Sequence, residues 1–187
     1  MPRQIYTTIH PPLTESSALS IMIDFSLPDA EFKACLSRLG NTVLHQPAYT
    51  SSLPPSNTQE LRLRIASGGY KMKVGVRPTG DGGVATVEDV LRKIRKTLWE
   101  SLASEGSSTG CSRLGEKDFK AAEYYQAQRM QSRKGRDVPR VVDRLWGHTL
   151  FAGLELYDEG TDGRDARGAG GPLTLQVELA VPERYQP

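Results

Sequence analysis

At 187 residues, with 37% hydrophobic and 25% charged side chains, the chain fits one domain over residues 1–187 and is long enough to bury a core. This composition excludes a fibrous or wholly disordered chain, and no apolar run approaches the roughly 18 residues of a membrane-crossing helix. The formal charge of +2 is unevenly spread: residues 61–144 hold 18 Lys/Arg against 10 Asp/Glu, residues 1–60 hold 3 against 5, and residues 145–187 hold 3 against 7.

The middle is therefore +8, between ends of −2 and −4. A basic block between acidic ends marks a nucleic-acid or anionic-partner surface, or else a middle that the ends fold back over and neutralise. Met1 to Pro12 lacks the charged-then-apolar pattern of a secretory leader, so secretion is not expected. Cys35 and Cys111 lie far apart, with no Cys-x-x-Cys pair and no Asn-x-Ser/Thr sequon. That usage fits reduced thiols in an intracellular compartment, cytoplasmic or nuclear.

In chain order, Leu19, Ile21, Ile23, Phe25 and Leu27 alternate with Ser20, Met22, Asp24 and Ser26, the pattern of a strand with one buried face and Asp24 turned away from it. Pro28 and Asp29 open a short helix carrying Phe32, Cys35, Leu36 and Leu39, closed by Gly40-Asn41. Residues 46–58, rich in Pro, Ser and Thr, read as an extended connector. Next comes a hairpin. A two-residue turn at Gly68-Gly69 pairs Leu61 with Val76, Leu63 with Val74 and Ile65 with Met72 on one face. The period of two then sends Arg62, Arg64, Lys71, Lys73 and Arg77 to the other, with Arg64 directly opposite Lys73. Such a pair calls for acidic neighbours, splayed solvated side chains or an anionic partner.

Thr86 with Asp89 resembles a capping box opening a helix whose stripe is Val87, Val90, Leu91, Ile94, Leu98 and Leu102. Arg92, Lys93, Arg95 and Lys96 are left toward water, and Glu88–Arg92 and Asp89–Lys93 are acid-first i,i+4 pairs. Residues 104–110 link to a second helix, about Lys117 to Lys134, with a thin stripe of Phe119, Ala122, Tyr125 and Met130. Val138–Trp146 and Thr149–Tyr157 read as two strands around Gly147-His148, with Leu150, Ala152, Leu154 and Leu156 on one face. Residues 158–171 form an acidic Gly-rich loop, and residues 173–181 a closing strand. The expectation is an α+β domain: a mainly antiparallel sheet of about six strands with two or three helices on one face.

The ordered blocks HPPL (His10–Leu13), IDFSLP (Ile23–Pro28), QPAYTSSLPP (Gln46–Pro55), LRLRI with YKMKVGV, ATVEDVL (Ala85–Leu91) and RVVDRLWGHTLFAGLEL (Arg140–Leu156) carry a resemblance. Together, over about residues 10–156, the chain resembles a family of small fungal proteins, abundant in basidiomycetes, known as a domain of unknown function. Family members look more tryptophan-rich where this chain has Tyr70, and residues 158–181 extend beyond the shared region. The resemblance implies a fungal origin and a common α+β scaffold; it brings no activity and no catalytic residue.

Gly80–Ala85 formally fits Gly-x-Gly-x-x-Ala between strand and helix, but Glu88 and Asp89 occupy the first helical turn and no parallel strand follows at nucleotide-fold distance. Gly110–Gly115 has phosphate-loop glycine spacing with Glu116-Lys117 where Lys-Ser/Thr is needed. His10, His45 and His148 are scattered, so neither a metal nor another cofactor is expected. Trp146 is read as core or as an exposed stacking residue. Tyr124 or Tyr125, with Arg129 and Arg133, makes either a basic-aromatic strip suited to nucleic acid or a solvated helix face. The leading expectation is an intracellular interaction module that binds a nucleic acid or an acidic protein through Arg62, Arg64, Lys71, Lys73, Arg77, Arg92 and Arg95, with self-association through a sheet edge as an addition. The alternative is a small secondary-metabolism enzyme with a pocket between sheet and helices, using Asp24, Tyr125, Asp143 and His148 as acid, base and lining groups.

Overall fold

A computed structural model describes residues 7–14, 22–51, 61–67, 70–79, 83–100, 116–130, 138–157 and 173–183. The ribbon at its centre follows the register set by side-chain alternation. Strand β3 (Leu61–Ser67) pairs antiparallel with β4 (Tyr70–Val76), matching Leu61 with Val76, Leu63 with Val74, Ile65 with Met72 and Arg64 with Lys73. Leu61, Leu63, Ile65, Met72 and Val76 are buried, while Arg62, Lys71 and Lys73 are exposed. Gly68 and Gly69 lie outside the described residues.

The sheet around this ribbon is not the mainly antiparallel six-stranded one that hairpin connections suggest. Four strands run in the order β4-β3-β6-β5, where β5 is Leu150–Leu156 and β6 is Leu173–Ala180, and two short strands, β1 (Thr7–Ile9) and β2 (Tyr49–Ser51), pair separately. At the centre β3 and β6 are parallel, and β6 is antiparallel to β5. A parallel neighbour needs a long crossover, and the chain between β3 and β6 supplies one containing helices. Alternation tells which face a side chain takes, not which strand lies beside it.

Four α-helices are present among the described residues: α1 (Asp29–Leu39), α2 (Asn41–Leu44), α3 (Val87–Leu98) and α4 (Glu116–Met130). Helix α1 matches its sequence signals, with Phe32 and Leu36 buried and Gly40 ending it at φ 77°. Helix α2 and strand β2 fall in or beside a stretch that reads as plain connector, because each is too short to show a period. Helix α3 has the expected capping box: Asp89 N–H donates to Thr86 Oγ at 3.2 Å and Thr86 N–H donates to the Asp89 carboxylate at 2.9 Å. Its Val87, Val90, Leu91, Ile94 and Leu98 join Leu63, Ile65, Leu175, Val177 and the α1 side chains in one core on the apolar face of the sheet.

Three sequence expectations need correction. Over residues 22–27 there is no strand, only an isolated bridge between Asp24 and Leu150, and residues 15–21 lie outside the described set. Asp24 points inward at 6% exposure, because Ser26 folds back and donates to its Oδ1 from both backbone N and Oγ at 2.8 Å. Val138–Trp146 is not a strand either. Val141–Leu145 forms a 3-10 turn whose start is held by Asp143, which accepts from Arg140 N–H at 2.9 Å. A short acidic side chain that bonds nearby backbone outcompetes the weak strand pattern of Val141-Val142. Finally, β5 has a bulge between Phe151 and Gly153. Phe151 is therefore buried on the side of Leu154, where alternation puts Leu150 and Ala152; Leu154 and Leu156 keep one parity, opposite Val177 and Leu175, although Leu156 is exposed.

Candidate anion-binding surface

The face of the sheet opposite the core is built by the alternate residues of the same four strands. Across it run Lys73 of β4, Arg64 of β3, Gln176 of β6 and Glu155 of β5, each directly beside the next. Arg62 and Lys71 flank this row, and exposed Arg77 follows the end of β4. The like-charged pair Arg64 and Lys73 is relieved by the direction Arg64 takes. Its guanidinium crosses β6, donates to Gln176 Oε1 and lies 4.3 Å from the centre of the Tyr157 ring, just after β5. Gln176 in turn donates to Glu178. Arg64 is thus fixed by an amide and an aromatic face, neither of which cancels its charge.

The two helical arginines expected to extend this surface do not. Arg92 is exposed but donates to Glu88 Oε1 at 2.6 Å, and α3 packs on the apolar face, so Arg92 stands on the far side of the sheet from Arg64. Arg95 is only 6% exposed. It donates to the carbonyls of Phe25, at 2.7 Å, and Leu27, and its guanidinium lies 3.5 Å from the centre of the Trp99 ring. Arg95 clamps the segment before α1 onto α3.

Trp99 is the residue that sequence reasoning missed. Arg95, Arg140 and Arg129 all lie over its ring, at 3.5, 4.6 and 5.3 Å from the centroid, and its Nε1 donates to Phe25 O at 2.6 Å. One signal was available: Arg95 and Trp99 are i,i+4 neighbours, a spacing that places them on one face of a helix.

The acid and base candidates are engaged by the fold. Asp143, 2% exposed, receives Arg129 Nε and Nη2 at 2.8 and 2.9 Å besides the Arg140 N–H. Asp24 closes the Ser26 turn. His148 places Nδ1 3.4 Å from Leu179 O, and half-buried Tyr125 packs edge-on against exposed Tyr124 with ring centres 5.2 Å apart. Arg129 is buried in its ion pair and leaves the helix strip, whose Arg133 lies outside the described residues. Trp146 is 44% exposed, so it is not the core residue of a hairpin end.

Among the described residues, no helix is long and apolar enough to cross a membrane, and no group of three or more His, Cys, Asp or Glu is placed to hold a metal ion. The glycine segments at 80–82 and 110–115 are outside those residues.

Comparison with curated proteins and with solved structures finds no match. A family model does match, over residues 7–165, and it spans the blocks from HPPL to the strand that ends at Leu156. With that share of its length covered, the chain belongs to the family of unknown function DUF6699.

Proposed function

We propose that this chain is an intracellular binding module that holds an anionic partner against the outer face of the β3–β4 ribbon. Arg62, Arg64, Lys71 and Lys73 are its contact residues, with Arg77 at the end of the strip. The observation that supports this most directly is that strand parity gathers Arg62, Arg64, Lys71 and Lys73 on one face of the ribbon, with exposed Arg77 beyond it. Such a concentration of one sign of charge attracts anions. Arg64 presents a guanidinium whose orientation is already fixed by Gln176 and Tyr157. Arg92 and Arg95 have no part in the contact, since one lies on the opposite side and the other is enclosed.

The test is binding of the purified chain to single-stranded oligonucleotide, polyglutamate and phosphatidylserine vesicles over a salt series. Binding at low salt that falls steeply as salt rises is expected for at least one probe. Lys73→Glu should weaken it by about tenfold, and Arg92→Glu should leave it unchanged. Absence of binding to every probe at low salt would overturn the proposal.

A further inference from the structure

We propose that two copies of this chain pair antiparallel through the outer edge of β4, in the register that sets Val74 beside Val74 across a twofold axis.

The two edges of the four-stranded sheet differ. Alongside β5 runs the segment Ile23–Phe25: Phe25 N–H donates to Thr149 O at 2.8 Å, Phe151 N–H donates to Ile23 O at 2.7 Å, and Asp24 bridges Leu150. Beyond β4, no strand follows among the described residues. Two residues separate the paired Ser67 and Tyr70, so that pair is hydrogen-bonded, and the alternation carries the bonding to Met72, Val74 and Val76. The residues of the other parity, Lys71 and Gly75 among them, therefore aim their backbone N–H and C=O out of the edge. Such a row is a template for another strand.

The sequence of β4 suits a second copy. Read outward from Val74 in both directions, Met72 matches Val76 as apolar and Lys71 matches Arg77 as cationic. A copy centred on Val74 sets Met72 beside the other copy's Val76, so the apolar face of one sheet continues into the next. Val74, half-buried between buried Met72 and Val76, is then covered by its counterpart. Lys73, already engaged within its own chain, stands beside the other copy's Gly75, which has no side chain to displace it. A register centred on Lys73 would set two lysines side by side, and one centred on Met72 would oppose Lys71 with Lys73 twice. Like charges directly opposed across strands are destabilising.

The pairing carries its own brake. Lys71 lies beside the other copy's Arg77 at both ends of the ladder, and cations on an edge strand oppose its pairing. Salt screens exposed charges, with a Debye length of about 10 Å at 0.1 M and about 3 Å at 1 M. Association therefore strengthens with salt, the opposite of anion binding. It closes at two copies, because a twofold contact uses the same edge of both and the β5 edge is bridged by Ile23–Phe25.

Sedimentation velocity of the full chain over a concentration series, in about 0.1 M and about 1 M NaCl, tests this. The dimer fraction should rise with concentration and, at fixed concentration, with salt. The amide protons of Lys71 and Gly75 should exchange about tenfold more slowly at dimer-forming concentrations. Gly75→Pro removes an N–H that points away from β3, a place where an edge strand accepts proline, and should keep the chain monomeric at both salts. If that variant loses its native circular dichroism, the exchange of Lys71 and Gly75 against concentration decides alone. A native chain that stays monomeric throughout, exchange at those amides that ignores concentration, a folded Gly75→Pro chain that still dimerises, or a dimer that weakens as salt rises would each overturn the proposal.

Discussion

Arg129 and Asp143 form a two-bonded ion pair almost wholly enclosed by protein, with Nε and Nη2 at 2.8 and 2.9 Å from the two carboxylate oxygens. The pair joins α4 to the 3-10 turn at Val141–Leu145. Removing one partner of such a pair leaves an uncompensated buried charge, which costs about 3–5 kcal/mol. Arg129→Met should therefore lower the unfolding free energy in urea by that amount. Arg129→Met/Asp143→Leu should recover part of the loss, though not all, because Asp143 also accepts the Arg140 N–H. A loss below about 1 kcal/mol for Arg129→Met would show that the pair is not desolvated.

Asp89 links acidity to stability. Burial raises its pKa, but hydrogen bonds from Thr79 Oγ, at 2.5 Å, and from Thr86 outweigh burial and hold it below the ordinary 3.8. A carboxyl depressed in the folded state adds stability above its unfolded pKa and loses it as pH falls through the folded one. Thr86→Ala should cost about 0.5–2 kcal/mol near neutrality, and Thr79→Val should raise the Asp89 pKa. The Thr79→Val effect on unfolding free energy should fade at a pH below the folded value, whereas the Thr86→Ala loss should fade only in part, because the bond from Asp89 N–H to Thr86 Oγ does not titrate. Carboxyl carbon titration by NMR and unfolding curves across acid pH measure them; a Thr79→Val variant with unchanged Asp89 titration would refute the assignment.

The parts of this fold legible in the sequence are the local ones. The β3–β4 register follows from a short connection plus alternation, and α3 follows from a cap and a stripe within a dozen residues. Placement of β6 beside β3 was hidden, since Leu173, Leu175, Val177 and Leu179 specify a face but no neighbour. The site divides in the same way. Arg62, Arg64, Lys71 and Lys73 were readable from strand parity, whereas Arg95 looks like any solvated helix arginine until Trp99 and the carbonyls of Phe25 and Leu27 arrive from elsewhere.

Strand β6 lies beyond the family match, which ends at residue 165, yet it occupies the middle of the sheet. Its Leu175 and Val177 are fully buried, and Gln176 supports Arg64. A chain ended at residue 172 should lose cooperative thermal unfolding, because both β3 and β5 lose a ladder partner. Leu175→Ala in the full chain should cost about 2–5 kcal/mol. A truncated chain that still melts in one sharp transition would mean that β6 is an appendage to an independent core.

Gly40 joins α1 to α2 at φ 77°, ψ 148°, a region that side-chain-bearing L-residues rarely enter. An added Cβ would meet nothing within 4 Å, so crowding is not the obstacle to substitution. The obstacle is the backbone itself. Gly40→Ala should destabilise the protein by about 1–3 kcal/mol, a loss read from the shift in the urea midpoint at constant slope. D-alanine, introduced by semisynthesis, favours positive φ, so it should lose less stability than L-alanine. Equal losses for the two enantiomers would trace the effect to the methyl group instead of the dihedral angle.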